Sequence, residues 1–309
     1  MQLSTLIDVV CAAHLTAYVD SPFESRGGMI LVAYGESLKT SVLEILEYYH
    51  PGALVQTDLT VQALAKLRER IAQGQIHSLV LTDFQKIYER HVQVASNVEG
   101  TLRAMVAEGF TSLAFQNQQI NRPKARALVL GAVTPAFIEK HFDHWQETGF
   151  ARRFLFPTYG LEDPHTLVEA VIRRKLIDFG RGVIPVPRNR LIPFEVSEEE
   201  TERLNYLLRY QYGTAIPLQL MQKILAVLKW MYAENGSDSG RASTMAHEVL
   251  LDFAPSLEKE GAKLKVSLTS AEKTRIMEPI NNGDQIHRGG RESATGEVGG
   301  RGVTLRAKR

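Results

Sequence analysis

A single cysteine, Cys11, stands in a chain of 309 residues, which excludes an internal disulfide. It sits among apolar residues in a helical pattern, where a small buried hydrophobe is the expected role, and a reducing, cytoplasmic setting is expected. No apolar run approaches the roughly 20 residues of a membrane-spanning helix, and no basic segment followed by a cleavable apolar one opens the sequence. A membrane partner is therefore not expected. Neither sign of charge is in excess, since 36 Lys+Arg against 35 Asp+Glu leave a net charge of +1. The molecule has no global field that would hold nucleic acid, so such contact must come from local patches. No internal repeat is evident.

What is present is a long alternation of apolar strands and helices. With 44% hydrophobic residues the chain can bury one large core and a smaller companion. Leu3, Leu6, Ile7, Val10, Cys11, His14, Leu15 and Tyr18 recur at helical steps and predict an amphipathic helix over 3–19. Turn residues over 21–28 lead into a core strand at Met29–Tyr34, and a helix begins near Leu38. Strands follow at Ala53–Thr57, His77–Phe84, Thr111–Asn117 and Ala127–Thr134, with helices over 61–73, 97–108 and 135–148, and Phe154 opens a last strand. The run at 127–134 is continuously apolar, as in strands buried on both faces. This pattern predicts an α/β fold with a parallel sheet flanked by helices and a ligand site at the carboxyl ends of its strands. From 161 to 257 helices dominate, with an acidic N-cap at Ser197 and an extended connection over 180–194, so a smaller helical lid domain is expected after the 1–160 core. Residues 258–309 read as a linker and a disordered tail, and 281–309 carry seven glycines and six basic against three acidic residues.

The segment from Gly28 to Leu46 is the most informative. An apolar strand runs into a short loop ending in Lys39-Thr40 and then into a helix, which is the layout of a phosphate-binding loop. In the pattern G-x-x-x-x-G-K-[ST], Lys39 and Thr40 fit, while Ala33 and Leu38 stand at the two glycine positions. Gly35 supplies freedom within the loop, and Leu38 must take up a conformation that costs a non-glycine residue on the order of 1 kcal/mol. Tyr34, Gly35, Glu36, Ser37, Leu38, Lys39, Thr40 and Ser41 are the expected ATP contacts. An ordinary strand–turn–helix with a solvated lysine is the competing reading.

Such a loop needs a second acidic group for Mg²⁺, and Asp83, ending the apolar run Leu79–Thr82, either supplies it or caps the strand–loop turn. Phe84 stands where many ATPases carry a glutamate, so another group must polarise the attacking water, and Glu108 either does so or is a solvated glutamate at a helix end. Thr134 ends the strand over 128–133, where it either contacts the γ-phosphate or caps the helix at Pro135. Arg152 and Arg153 lie between a glycine-ended helix and a strand. There, one of them either reaches a neighbouring subunit's phosphates or forms a basic turn anchored by Phe150 and Phe154.

This order of elements over residues 21–255 resembles the AAA+ class of P-loop ATPases. The Arg-Phe segment followed by a helical region is most similar to the minichromosome-maintenance-type helicase ATPases and their phage and plasmid relatives. The resemblance implies a P-loop NTPase sheet and MgATP bound between subunits of a homo-oligomeric ring. It also implies Lys39 on the phosphates, Thr40 and Asp83 on Mg²⁺, Thr134 as sensor, Arg152 or Arg153 as the finger, and a nucleic-acid partner in replication or maintenance. Ala33, Leu38 and Phe84 depart from the pattern and leave a second expectation, a degenerate scaffold with little or no hydrolysis.

His141 and His144, three apart on one helix, have zinc-ligand spacing but lack a third ligand, so a solvated face is expected. Asp58 is expected to cap the helix beginning at Val61. Arg173, Arg174 and Lys175 form a basic helical cluster, and Trp230 and Tyr232 are expected in a core.

Overall fold

Alternation along each strand decides which face every side chain occupies. In the computed structural model, Met29 and Leu31, Val80, and Leu128, Leu130 and Ala132 face one apolar core. Ile30 and Val32, Leu79 and Leu81, and Val129 and Val133 face a second. A sheet buried on both faces needs continuous apolar strands, and these segments are fully buried. The structure describes residues 1–35, 37–49, 51–110, 124–160, 187, 191–210 and 215–257. The expected strand at 111–117, the basic cluster at 173–175 and the tail lie outside them.

The main sheet is built from β2 (Gly28–Val32), β3 (Ala53–Gln56), β4 (Ser78–Leu81), β5 (Leu128–Val133) and β6 (Phe154–Leu155) in the order β3-β4-β5-β2-β6. All its pairings are parallel. A short parallel pair stands apart: β1 (Val19–Asp20), just after the first helix, pairs with β7 (Ile192–Pro193), which falls in the expected extended connection over 180–194.

Right-handed crossovers put a helix on one face when the chain moves one way along the sheet, and on the other face when it moves back. The chain leaves β2 for the far edge through α2 (Lys39–Tyr49), whose Val42, Leu43 and Leu46 join the first core. It then returns through α3 (Val61–Ala72), α4 (Val92–Val106) and α5 (Pro135–Glu147). These contribute Leu64, Val98, Leu102 and Trp145 to the second core.

Helix α1 (Leu3–Leu15) departs from the amphipathic expectation, because all but Ser4 of its residues are buried. It packs against α2 and against a further helical layer made of α6 (Glu198–Leu207), α7 (Ala215–Glu234) and α8 (Ser239–Phe253), of which α7 also meets β6 directly. Burial all round requires partners for its polar groups. Asp8 accepts from the Tyr232 hydroxyl at 2.7 Å, His14 Nδ1 meets Ser78 Oγ at 2.8 Å, and Thr5 donates to Asp252 at 2.5 Å. Trp230 packs at the edge of the same core. Of the lid expected over 161–257, the described helices over 198–257 share one apolar core with α1, α2 and the sheet. They belong to one compact unit running from Met1 to Glu278. Cys11 is buried in that core, and desolvation, with Asp8 nearby, pushes its thiol far above the usual range. The buried Lys223 on α7 donates to the carbonyls of Phe23 at 2.9 Å and Ser25 at 2.6 Å, and so fastens the 21–27 turn to the helical layer.

Glu200 anchors that layer. It completes a capping box with Ser197 at the start of α6, pairs with Lys229 on α7 and lies 3.3 Å from His247 on α8. Burial alone would raise its carboxyl, but bonds from His247, Lys229 and the Ser197 amide bring it down from 4.5 to about 2. A depressed carboxylate stabilises the fold above its unfolded pKa and ceases to do so as pH falls through its folded one. Between pH 5 and 2 the native protein should lose about 3 kcal/mol more stability than Glu200→Gln. Denaturant titrations of both proteins at stepped pH measure it, and parallel pH profiles would refute the assignment.

Candidate functional site

In an open α/β sheet the crevice for a ligand lies where outgoing connections of neighbouring strands go to opposite faces. Here that point falls between β2 and β5, since α2 leaves toward the first core and α5 toward the second. Val32 is level with Val133, and Ala33 N–H still donates to the Val133 carbonyl at 3.2 Å. Thr134 therefore stands beside the start of the 33–38 loop. Asp83 follows β4, the next strand over, about 10 Å from β2 at the usual strand spacing.

Within the loop the backbone turns at Leu38, whose φ is +61°, the only positive value at a non-glycine among the described residues. Its carbonyl accepts the first bond of α2, from Val42 at 2.9 Å, so the turn aims the helix amino terminus back at the sheet edge. Gly35, expected to give the loop its freedom, is exposed and is not among the glycines with positive φ. The half-buried Leu38 side chain packs on the first core, which offsets the strain of the left-handed backbone. Lys39 Nζ bends back on the loop and donates to the carbonyls of Ala33 and, at 2.7 Å, Tyr34. Partial burial holds its pKa below the usual lysine range. Ser37 Oγ closes the loop onto the Tyr34 carbonyl at 2.7 Å. Tyr34 is 70% exposed, Thr40 is exposed and Ser41 half-buried. Glu36 lies outside the described residues.

Asp83 is half-buried and lies 3.7 Å from Lys86. Thr134 occupies the N-cap position of α5, with Pro135 following, but its side chain makes no capping bond. The hydroxyl instead accepts from Gln85 Nε2 at 3.2 Å. Gln85 is the group that sequence reasoning missed: it is the second residue of a 3-10 turn over Phe84–Glu89, two residues after Asp83, and so stands at the strand ends. Phe84, at the expected glutamate position, points into the core against Trp145 and Phe150. A Cβ on Gly131 would meet its ring at 2.9 Å.

The other candidates lie elsewhere. Glu108 follows α4 at the amino edge of the sheet, where the Val106 carbonyl accepts from Gly27 just before β2. It pairs with Arg153 at 3.3 Å, so the expectation that it polarises water at the Lys39 loop is corrected. The cause is direction: a helix returning from a parallel strand ends where the next strand begins. Arg152 and Arg153 share that edge, directly before β6, whose Phe154 is level with Gly28. Arg153 also donates to the Gly149 carbonyl at 2.7 Å, whereas Arg152 is exposed.

No family model and no curated protein matches the chain. Among the described residues no group of three His, Cys, Asp or Glu could hold a metal ion, and no helix is long and apolar enough to cross a membrane. His141 stacks on Phe137 with ring centroids 4.3 Å apart. His144 lies 3.5 Å from the buried Glu99, which also accepts from Tyr88 at 3.0 Å and Thr148 at 2.8 Å. This cluster braces α4 against α5. Asp58 pairs with Arg90, and the cap of α3 is Thr60, which accepts from Ala63 at 3.0 Å.

The left-handed turn gives a test in which alanine and glycine exchange their usual order. Leu38→Ala loses the packing and keeps the strain, whereas Leu38→Gly loses the packing and relieves it. Thermal unfolding should rank the glycine variant above the alanine variant by about 1 kcal/mol, the reverse of helix interiors. The opposite ranking would refute a strained turn.

Proposed function

We propose that the chain is an AAA+-like P-loop ATPase that binds MgATP at the 33–41 loop. The observation that carries this reading is the arrival of Lys39, Thr134 and Asp83 at the carboxyl ends of three neighbouring parallel strands, at the switch point, beside the amino terminus of α2. A helix start and a mobile ammonium favour phosphate oxygens. With a triphosphate present, Lys39 would exchange the carbonyls of Ala33 and Tyr34 for the β- and γ-phosphates. Thr40 and Asp83 would hold Mg²⁺, an ion that ordinarily takes one or two protein oxygens and fills its shell with water and phosphate. One hydroxyl and one carboxylate fit that demand, and no larger acidic cluster is required. When bound, the ion neutralises charge developing on the phosphates.

Gln85 takes over the part expected of Glu108. Its amide nitrogen donates to Thr134, leaving its side-chain carbonyl to accept from a water at the γ-phosphate. An amide orients water without removing its proton, which supports slow turnover. Arg152 stands at the opposite edge of a sheet whose β2 has five residues, about 17 Å in length. It is therefore suited to the phosphates of a second copy, not its own, and this supports a homo-oligomer. The nucleic-acid partner rests on the basic tail over 281–309. A scaffold that holds nucleotide without hydrolysis is the second reading, and the placement of Phe84 and Glu108 favours it.

ATP binding and hydrolysis by the wild type and Lys39→Ala, each with and without single- and double-stranded DNA, test the proposal. We expect at least tenfold weaker MgATP binding in the variant, about 1.4 kcal/mol, and loss of any DNA-stimulated turnover. Equal binding by the two proteins would refute the phosphate site. Binding lost in the variant, with no turnover in either protein, would select the scaffold.

A further inference from the structure

A strap of three residues ties the 33–38 loop to the last helical turn of the described chain. Beyond β6, Pro157 accepts from Val32 N–H at 2.8 Å, and Tyr159 N–H donates to the Val32 carbonyl at 3.1 Å. The strap thus runs on beside β2, with Thr158 bridged to Val32. From its end the Tyr159 hydroxyl donates to the Ser37 carbonyl at 3.0 Å. On its other side Thr158 N–H donates to the Ser256 carbonyl, in the 3-10 turn Ala254–Leu257 that ends α8. Tyr159 is 6% exposed and belongs to the first core together with Leu257, Phe253 and Leu225.

The Ser37 carbonyl belongs to the peptide that enters Leu38, and in a planar trans peptide the C=O and the following N–H point in opposite directions. Holding that carbonyl toward the core turns the Leu38 N–H away from it and fixes the torsion that takes Leu38 left-handed. Burial pushes the Tyr159 phenol far above its usual range, only partly opposed by the Ser37 bond.

We propose that Tyr159 is a positioning residue that sets the Ser37–Leu38 peptide in its phosphate-binding orientation and relays to it the docking of the helical layer through Thr158 and Ser256. The strap makes nucleotide affinity depend on whether the end of α8 is packed against the sheet. A partner or segment that displaces that end would weaken binding without touching the loop. The relay rests on the MgATP reading given above.

Tyr159→Phe deletes one oxygen and keeps the ring in the core. The control is Tyr18→Phe, whose hydroxyl lies 3.4 Å from the Pro51 carbonyl, away from the loop. In the full chain, MgATP affinity of Tyr159→Phe should fall five- to tenfold while Tyr18→Phe stays at the wild-type value. Amide hydrogen exchange without nucleotide should rise severalfold over 37–42 in Tyr159→Phe alone. Ser256→Pro, placed at the other end, should raise exchange over the same residues. Unchanged exchange over 37–42 in Tyr159→Phe would overturn the strap whether or not the protein binds ATP. Equal MgATP affinity of wild type and Lys39→Ala would overturn the nucleotide reading and leave the exchange result standing. Raised exchange with unchanged affinity would overturn the relay alone.

Discussion

Everything at the candidate site depends on β5 lying between β4 and β2. One strand, paired with β4 over Leu128–Gly131 and with β2 over Val129–Val133, brings three chain segments far apart in sequence to one edge. The chain must reach the far side of the sheet before it can return to fill that gap. The long crossover through α2 is therefore the topological condition for Lys39, Thr134 and Asp83 to meet. Right-handed crossovers then divide the helices between the faces with no further instruction. The loop conformation, the lysine fold-back and the glutamine–threonine contact are local consequences at an edge already assembled.

The α/β character and most of the elements were legible because strand and helix periods differ and because β5 is apolar without interruption. Strand order was not, since β2, β4 and β5 are all buried on both faces and carry no pattern that tells which of them are neighbours. Among the candidates, Lys39 and Asp83 follow strands in the sequence and come to the same edge in space. Glu108 follows a helix, and so arrives at the other. Gln85 was invisible because a short 3-10 turn has no periodic signature, and only the turn brings it back to Thr134. The left-handed Leu38 could be read from sequence, as its position in a recognisable loop demands that backbone whatever residue fills it.

The helical region shows the limit of a domain boundary inferred from composition. A change from mixed to helical sequence marks a change of element type, but the surface an element covers is set by where its apolar residues find partners. Here α1 offers apolar residues all round, so the later helices have a surface to complete. The buried Asp8 and Thr5 fix how they do so, through Tyr232 and Asp252, while His14 ties α1 to Ser78 of the sheet. An all-apolar α1 would leave its orientation less specified.

The contact of Phe84 with Gly131 bears on how such a chain could change over generations. Packing bars a carboxylate next to Asp83: glutamate at position 84 would place a charge among Trp145, Phe150 and the sheet. A larger residue at Gly131 is barred by the same ring. The two positions hold each other in place, and an acidic pair could arise only if the core beneath were rebuilt first. Gln85 stands outside that deadlock, since its side chain faces Thr134 at the strand ends.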